Sequence, residues 1–301
     1  MVSLKQLRYF DAVARSRHFG KAAEHCAVTQ PALSMQIQEL EKSLGIQLLE
    51  RSRNGVMLTE GGKEIAQRAA RVLADVRDIV DFARRQGNVL SGPLGFGVIP
   101  SVAPYILPQL LPMFRDSFPD LDLHIRESQT QSLVSELVDG QLDVLLLALP
   151  VEHPDIETIR LFDDRFLLAM AASHRMSDRV KATPDLLEED RLLLLEEGHC
   201  MRDQALAFCS LRRIENINTF GASSLSTLVQ MVANGLGMTL LPELAVPLEI
   251  RRGDIHLMRF ADPEPQRVIG LAWRRSSPRK SHFIELGQMI TAATARSHPK
   301  A

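Results

Sequence analysis

The sequence predicts an α+β multidomain protein: an N-terminal winged helix-turn-helix, a long linker helix, and a C-terminal α/β domain of two lobes. Three observations carry this expectation. Residues 4–44 repeat apolar side chains at helical spacing, with one short break at "AVTQ". Residues 59–88 hold one uninterrupted helical pattern. Beyond residue 92, short apolar runs of strand type alternate with amphipathic stretches, which argues an α/β body with largely parallel sheets. The expected domains are 1–59, 60–88 and 92–301.

Composition narrows the class. The chain has 301 residues, 45% hydrophobic and 24% charged, which suits two or three globular domains. No apolar run reaches the roughly 18 residues that a membrane span needs. The start, "MVSLKQLRYFDAVARS", has no apolar core of a signal peptide, so a cytoplasmic protein is expected. Three cysteines do not make a secreted disulfide framework, and no Cys/His spacing fits a metal or cofactor site. Residues 1–87 carry 14 Lys+Arg against 10 Asp+Glu, and the remainder 21 against 27. A basic head on an acidic body suits a head that meets a polyanion.

In the head, Leu4, Leu7, Phe10, Val13 and Ala14 mark a first helix, and Phe19, Ala22, Ala23 and Cys26 the apolar face of a second. Small Ala22 and Ala23 let two helices cross closely. Leu33, Ile37, Leu40 and Leu44 mark a third helix, beginning near Gln30 with Thr29 as cap and Pro31 in its first turn, where a missing N–H is harmless. Helix, tight turn and helix is the pattern that lays its second helix in the major groove. Gln30, Pro31, Ala32, Ser34, Met35 and Gln36 lie on its early outward surface. Gln and Ser can bond base edges, and Ala admits a thymine methyl. "ERSRNGVMLTEGG" then reads as a wing with Asn54-Gly55 as hairpin signal and Arg51 and Arg53 placed for phosphate or minor-groove contact. The competing structural reading is a helical bundle with a solvated face.

In the linker, Ile65, Ala69, Val72, Val76, Ile79 and Ala83 step by four and three, the 3.5-residue mean of a coiled-coil seam. A narrow seam on a polar helix implies a partner helix, hence a dimer reading two half-sites. After "QGNV", the body offers strand-like runs at 94–99, 121–128, 143–149, 165–171, 191–196, 237–242 and 268–274, with helical patterns in "QSLVSELVDG" and "SSLSTLVQMVANGLG". Its length suits two lobes with a cleft between them, where ligands gather at strand ends.

Cys200 and Cys209 stand nine positions apart in "EEGHCMRDQALAFC". A helix would separate them by a rise of about 13.5 Å and put them on opposite sides, whereas a disulfide needs Cα atoms within roughly 7 Å. A bond between them therefore requires the segment to unravel. Cys200 is placed at a helix start, where free N–H groups favour an anion. Asp203 stands where an N3 acid would meet them, and His199 is adjacent. Two structural cysteines in a core helix remain the alternative on composition, and Cys26 takes that reading outright.

The segment "LRYFDAVARSRHFGKAAEHCAVTQPALSMQIQELEKSLGIQLLERSRNGVMLTEGG" resembles the N-terminal domain of LysR-type transcriptional regulators, and "EEGHCMRDQALAFC" with "SSLSTLVQMVANGLGMTLLPELAVP" is similar to the hydrogen-peroxide-sensing members of that family. The resemblance implies a regulatory domain like the periplasmic binding proteins, an activator of antioxidant genes in the oxidative stress response, and no enzymatic turnover. It implies Cys200 as the peroxide-reactive thiol and Cys209 as its disulfide partner, reset by glutaredoxin or thioredoxin. It places Ser101, where relatives carry threonine, with Thr130, His199, Asp203 and Arg267 in the peroxide pocket. It implies promoter DNA and RNA polymerase as partners and a homotetramer built on the linker-helix dimer. Structurally, Ser101 could instead cap a helix after Pro100, Thr130 could be a turn hydroxyl, and Arg267 a solvated edge-strand charge. Two further functions compete: a LysR-type regulator gated by a small metabolite in the cleft, with silent cysteines, and a thiol peroxidase fused to a DNA-binding head.

Overall fold

The computed structural model describes residues 1–52, 55–84, 90–173, 181–183, 186–187, 191–211, 220–250 and 254–297. The chain divides into two compact units, Met1–Asn88 with Glu136–Gln141 and Ser276–Pro278, and the remainder.

The head begins with α1 (Leu4–Ser16), whose Ser3 cap and Gln6 satisfy each other's backbone N–H groups, a capping box. In α2 (Phe19–His25) the cap is a histidine, with His18 Nδ1 accepting from the Lys21 N–H at 3.2 Å. The next helix, α3 (Gln30–Leu44), opens with Thr29 Oγ1 accepting from the Ala32 N–H and closes at Gly45, whose φ of +71° suits glycine. Leu33, Ile37 and Leu40 face inward and join Phe10, Val13, Ala22, Ala23 and Cys26 in one core. The fully covered Ala22 and Ala23 lie where helices cross. The wing is the hairpin β1 (Leu49–Ser52) and β2 (Gly55–Leu58). Ser52 pairs with Gly55, so Gly55 of the expected Asn54-Gly55 signal belongs to a strand. Arg53 and Asn54 lie outside the described residues, as does the side chain of Arg51.

The long helix α4 spans Glu60–Arg84; residues 85–88 of the expected linker, and "QGNV", fall outside the described residues. Its seam is divided. Ile65, Ala66 and Ala69 pack into the head core, while Val72, Ile79 and Val80 are exposed, Ile79 to 67%. The side chain of Ala83 is not among those described.

The body opens with β3 (Gly92–Val98), α5 (Ala103–Ser117), β4 (Leu121–Glu127), α6 (Thr130–Val138) and β5 (Val144–Leu149), with β4 and β5 flanking β3 in parallel. Next comes β6 (Ile156–Ala171), 16 residues long. β7 (Leu193–Leu195), α7 (Cys200–Leu211), β8 (Phe220–Ala222) and α8 (Leu225–Ala233) follow, then β9 (Thr239–Pro242), α9 (Val246–Glu249), β10 (Ile255–Met258), β11 (Gln266–Arg274) and α10 (Lys280–Ser297). One seven-stranded sheet runs β10-β6-β11-β5-β3-β4 with β9 also on β6, and β7 and β8 form a separate parallel pair.

The expectation of largely parallel sheets is corrected: the main sheet is mixed. β11 returns from the far end of the chain to lie between β5 and β6, antiparallel to both, and β9 and β10 are antiparallel to β6. The run expected at 165–171 is only the second part of β6. Its first part pairs with β11 through Arg165, and from Phe166 onward it pairs with β9 and then β10. This one strand thereby pairs in turn with β11, β9 and β10.

Candidate functional site

On the head, the early surface of α3 carries the expected contact residues. Gln30, Pro31 and Met35 are exposed, and Ala32, Ser34 and Gln36 half-buried, with Gln36 Nε2 donating to Glu39 at 2.8 Å. Thr29 is spent on the helix cap. The buried Leu33 and Ile37 fix the orientation of that surface, and Met35 between them is exposed. A helix with a small, uncharged N-terminal surface is suited to enter the major groove.

In the body, β7 leads through Gly198 and His199 into α7, and Cys200 is the first residue of that helix. It is a free thiol and half-buried. Met201 and Ala205, four apart, are buried, and Phe208 meets Phe260 edge-on at 5.4 Å. These contacts hold one face of α7 against the body. Cys209 lies in the same continuous helix, so the nine-residue rise of about 13.5 Å applies; its side chain is outside the described residues. Residues 212–218 of the expected switch segment are outside them too.

The loop before Cys200 is fastened to the start of α6. Gly198 has φ of +89°, and a Cβ there would stand 2.4 Å from Gln129 Oε1. That left-handed backbone favours glycine, whereas the flexible Gln129 amide could move aside. Gln129 Nε2 donates to the Glu197 carbonyl at 3.4 Å. Thr130 follows at once, and its Oγ1 is buried without a hydrogen-bond partner. A buried hydroxyl without a partner among the described residues is costly. His199 is half-buried beside Cys200.

Arg267 and Ser101 form a second polar group. Arg267 lies at the start of β11, and its side chain is fully covered. Its Nη1 donates to Ser101 Oγ at 2.7 Å and its Nη2 to the Ser101 carbonyl at 3.0 Å. Asp164 takes Nε at 2.9 Å and Nη2 at 2.8 Å. Both structural alternatives fail here. Arg267 is not a solvated edge charge, and α5 is capped by Val102 without a side-chain bond, so Ser101 is not its cap. Asp203, by contrast, is exposed in the first turn of α7 and is not gathered into this buried polar group.

Sequence reasoning missed Asp164, Gln129 and a third polar contact. Tyr105 of α5 donates to Glu249 Oε1 of α9 at 2.8 Å, and Ser226 donates to the same oxygen at 2.8 Å. Burial, reinforced by the bond to Glu249, pushes the Tyr105 phenol well above its ordinary range, so it stays neutral and donates. No local motif announces such groups, because their partners lie more than 100 positions apart in two of the cases. Among the described residues no cluster of His, Cys, Asp and Glu is placed to hold a metal, and no helix is long and apolar enough to cross a membrane.

Comparison with known proteins covers both the head and the body. Residues 4–63 match the bacterial regulatory helix-turn-helix family of LysR type, and residues 87–295 match the LysR substrate binding domain. A probable hydrogen peroxide-inducible genes activator of Streptomyces viridosporus is 45% identical over 97% of this chain and 94% of its own length. A cysteine-to-aspartate variant of full-length OxyR from Pseudomonas aeruginosa superposes with a TM-score of 0.83 at 38% identity, covering 97% of this chain and 98% of that one. A cysteine-to-serine variant of Corynebacterium glutamicum OxyR with hydrogen peroxide bound gives 0.69 at 37% identity, covering 98% of this chain and 93% of that one. With both family matches together spanning nearly its whole length, and a helix-turn-helix head preceding a mixed α/β body, the chain belongs to the LysR family of bacterial regulators.

Proposed function

We propose that this chain is a DNA-binding transcription activator that senses hydrogen peroxide through a reversible disulfide between Cys200 and Cys209. One observation carries the reading. Cys200 is a free thiol at the first residue of a helix that also contains Cys209, so the two sulfurs can join only if that helix opens. Joining them is then a conformational event.

The chemistry balances on the chain's own residues. The Cys200 thiolate attacks one peroxide oxygen, the O–O bond breaks, and the departing hydroxide takes a proton and leaves as water. The resulting sulfenic acid is attacked by Cys209, its S–O bond breaks, and a second water leaves. Two thiols have supplied two electrons. Ser101, Thr130, His199 and Arg267 supply the pocket. The Ser101 hydroxyl accepts from Arg267 and keeps its own proton to donate, and Thr130 Oγ1 is unspent. Glutaredoxin or thioredoxin, as a cytosolic dithiol, returns the electrons.

In the rest of this reading, α3 and the Arg51–Arg53 wing bind promoter DNA, exposed Val72, Ile79 and Val80 of α4 pair with a second copy, and two such dimers make a tetramer. The body is two lobes arranged like those of the periplasmic binding proteins, and the protein works in the cytoplasm in contact with RNA polymerase. The test is intact mass and peptide mapping after brief, sub-stoichiometric peroxide. A two-hydrogen mass loss with a Cys200–Cys209 cross-linked peptide supports the reading. Unchanged thiols would move the trigger to a small metabolite in the cleft, and sustained peroxide turnover with a dithiol reductant would make the chain a peroxidase.

A further inference from the structure

We propose that Asp164 is a positioning residue for the oxidation of Cys200, acting through Arg267; this rests on the peroxide-sensing reading above. The two residues are direct register partners across β6 and β11, and both are buried, at 3% and 2% exposure. Arg267 carries five N–H donors. Three make hydrogen bonds, Nε on Asp164 Oδ2, Nη2 on the Ser101 carbonyl and Nη1 on Ser101 Oγ, and Nη2 also stands 2.8 Å from Asp164 Oδ2 as an ion pair. Asp164 therefore decides which way the fork points. With Nε and Nη2 held on the carboxylate, the plane is set and Nη1 must face Ser101.

Asp164 is itself anchored. Its Oδ1 accepts the Leu244 N–H at 2.9 Å, in the short turn that follows β9. Phe166, two residues along β6, lays its ring 5.9 Å from the guanidinium carbon. Asp164 stands next to the point where β6 leaves β11 for β9, so one carboxylate ties the arginine to elements on both sides of that change. A buried ion pair of this kind adds little to stability compared with apolar packing. Its geometric effect, a guanidinium held in one plane against Ser101, is the part that chemistry at Cys200 can use.

The test uses the full-length protein with Asp164→Asn, Arg267→Gln and the double variant, and two rates for each: oxidation of Cys200 by hydrogen peroxide and its alkylation by iodoacetamide. Alkylation needs thiolate and access, but no donor to a peroxide oxygen. The expectation for Asp164→Asn is peroxide oxidation slowed by about 10- to 100-fold, the scale of a misaligned reacting group, with alkylation not slowed. The double variant should be no slower than Arg267→Gln alone. A parent rate in Asp164→Asn, or additive losses in the double variant, overturns the proposal, as does alkylation falling in step with oxidation. A parent rate in Arg267→Gln overturns this proposal and the pocket reading together, whereas a slow Arg267→Gln beside a normal Asp164→Asn removes only this one. If the asparagine variant does not fold, Asp164→Ser is measured by the same two rates against the same expectations.

Discussion

The hydroxyl of Ser101 shows how much one atom can decide. It is the acceptor for a fully covered guanidinium at 2.7 Å. Ser101→Ala leaves that N–H unpaired inside the protein, and we expect thermal denaturation to report a loss of about 1–3 kcal/mol. The same change is expected to slow peroxide oxidation of Cys200, read as thiol loss against time, because the donor pair is broken. Cys26 makes the opposite case. It is buried at the end of α2, and burial pushes its thiol up more strongly than nearby Arg8 pulls it down. A thiol whose pKa is raised stays protonated as pH rises through the range where an ordinary cysteine ionises, so native alkylation at pH 8 should label Cys200 well before Cys26. Peptide mapping of a timed iodoacetamide reaction checks the order, and equal labelling would show that the core around α2 opens.

At the scale of elements, α4 is the most exposed to test. Its first turns bury Ile65 and Ala69 in the head, and farther along it presents Ile79, 67% exposed, to solvent. Ile79→Asp should convert a dimer to a monomer in sedimentation or light scattering while leaving the circular dichroism of the head intact; a dimer that survives would place the pairing surface elsewhere. The linker also shows where sequence reading stopped. The 3.5-residue spacing was legible over its whole length, but spacing does not tell which apolar residues meet the chain's own head and which are left over. The start of α3 was legible to the residue, because Thr29, Gln30 and Pro31 are local signals whose partners lie within one turn. Strands were legible where apolar runs were continuous, as in β5. They were not legible in the first part of β6, where exposed Thr158, Arg160 and Asp163 interrupt the pattern, nor in the three residues of β8. The burial of Arg267 was illegible for the same reason that Asp164 was overlooked. A lone arginine in "PEPQRVIGL" looks solvated until the strand 103 positions earlier is laid beside it.

For the whole molecule, the expected consequence of peroxide is a loss of order confined to one region. Hydrogen exchange before and after oxidation should lose protection in residues 200–211 and keep it in β3, β5, β6 and β11; uniform loss would mean that the body unfolds as a whole. The arrangement of β7 and β8 says where the disturbance goes next. These two parallel strands are bridged by the connection that contains α7, and each is three residues long. β7 is additionally stitched to the strand behind it, through the Leu193 N–H on the Met238 carbonyl and Thr239 Oγ1 on the Leu193 carbonyl. When a bridge shortens, the less firmly moored bank gives way. Oxidation should therefore tug Phe220–Ala222 out of register and jostle the Ser224-capped start of α8, sending the signal forward along the chain and leaving the upstream side at rest.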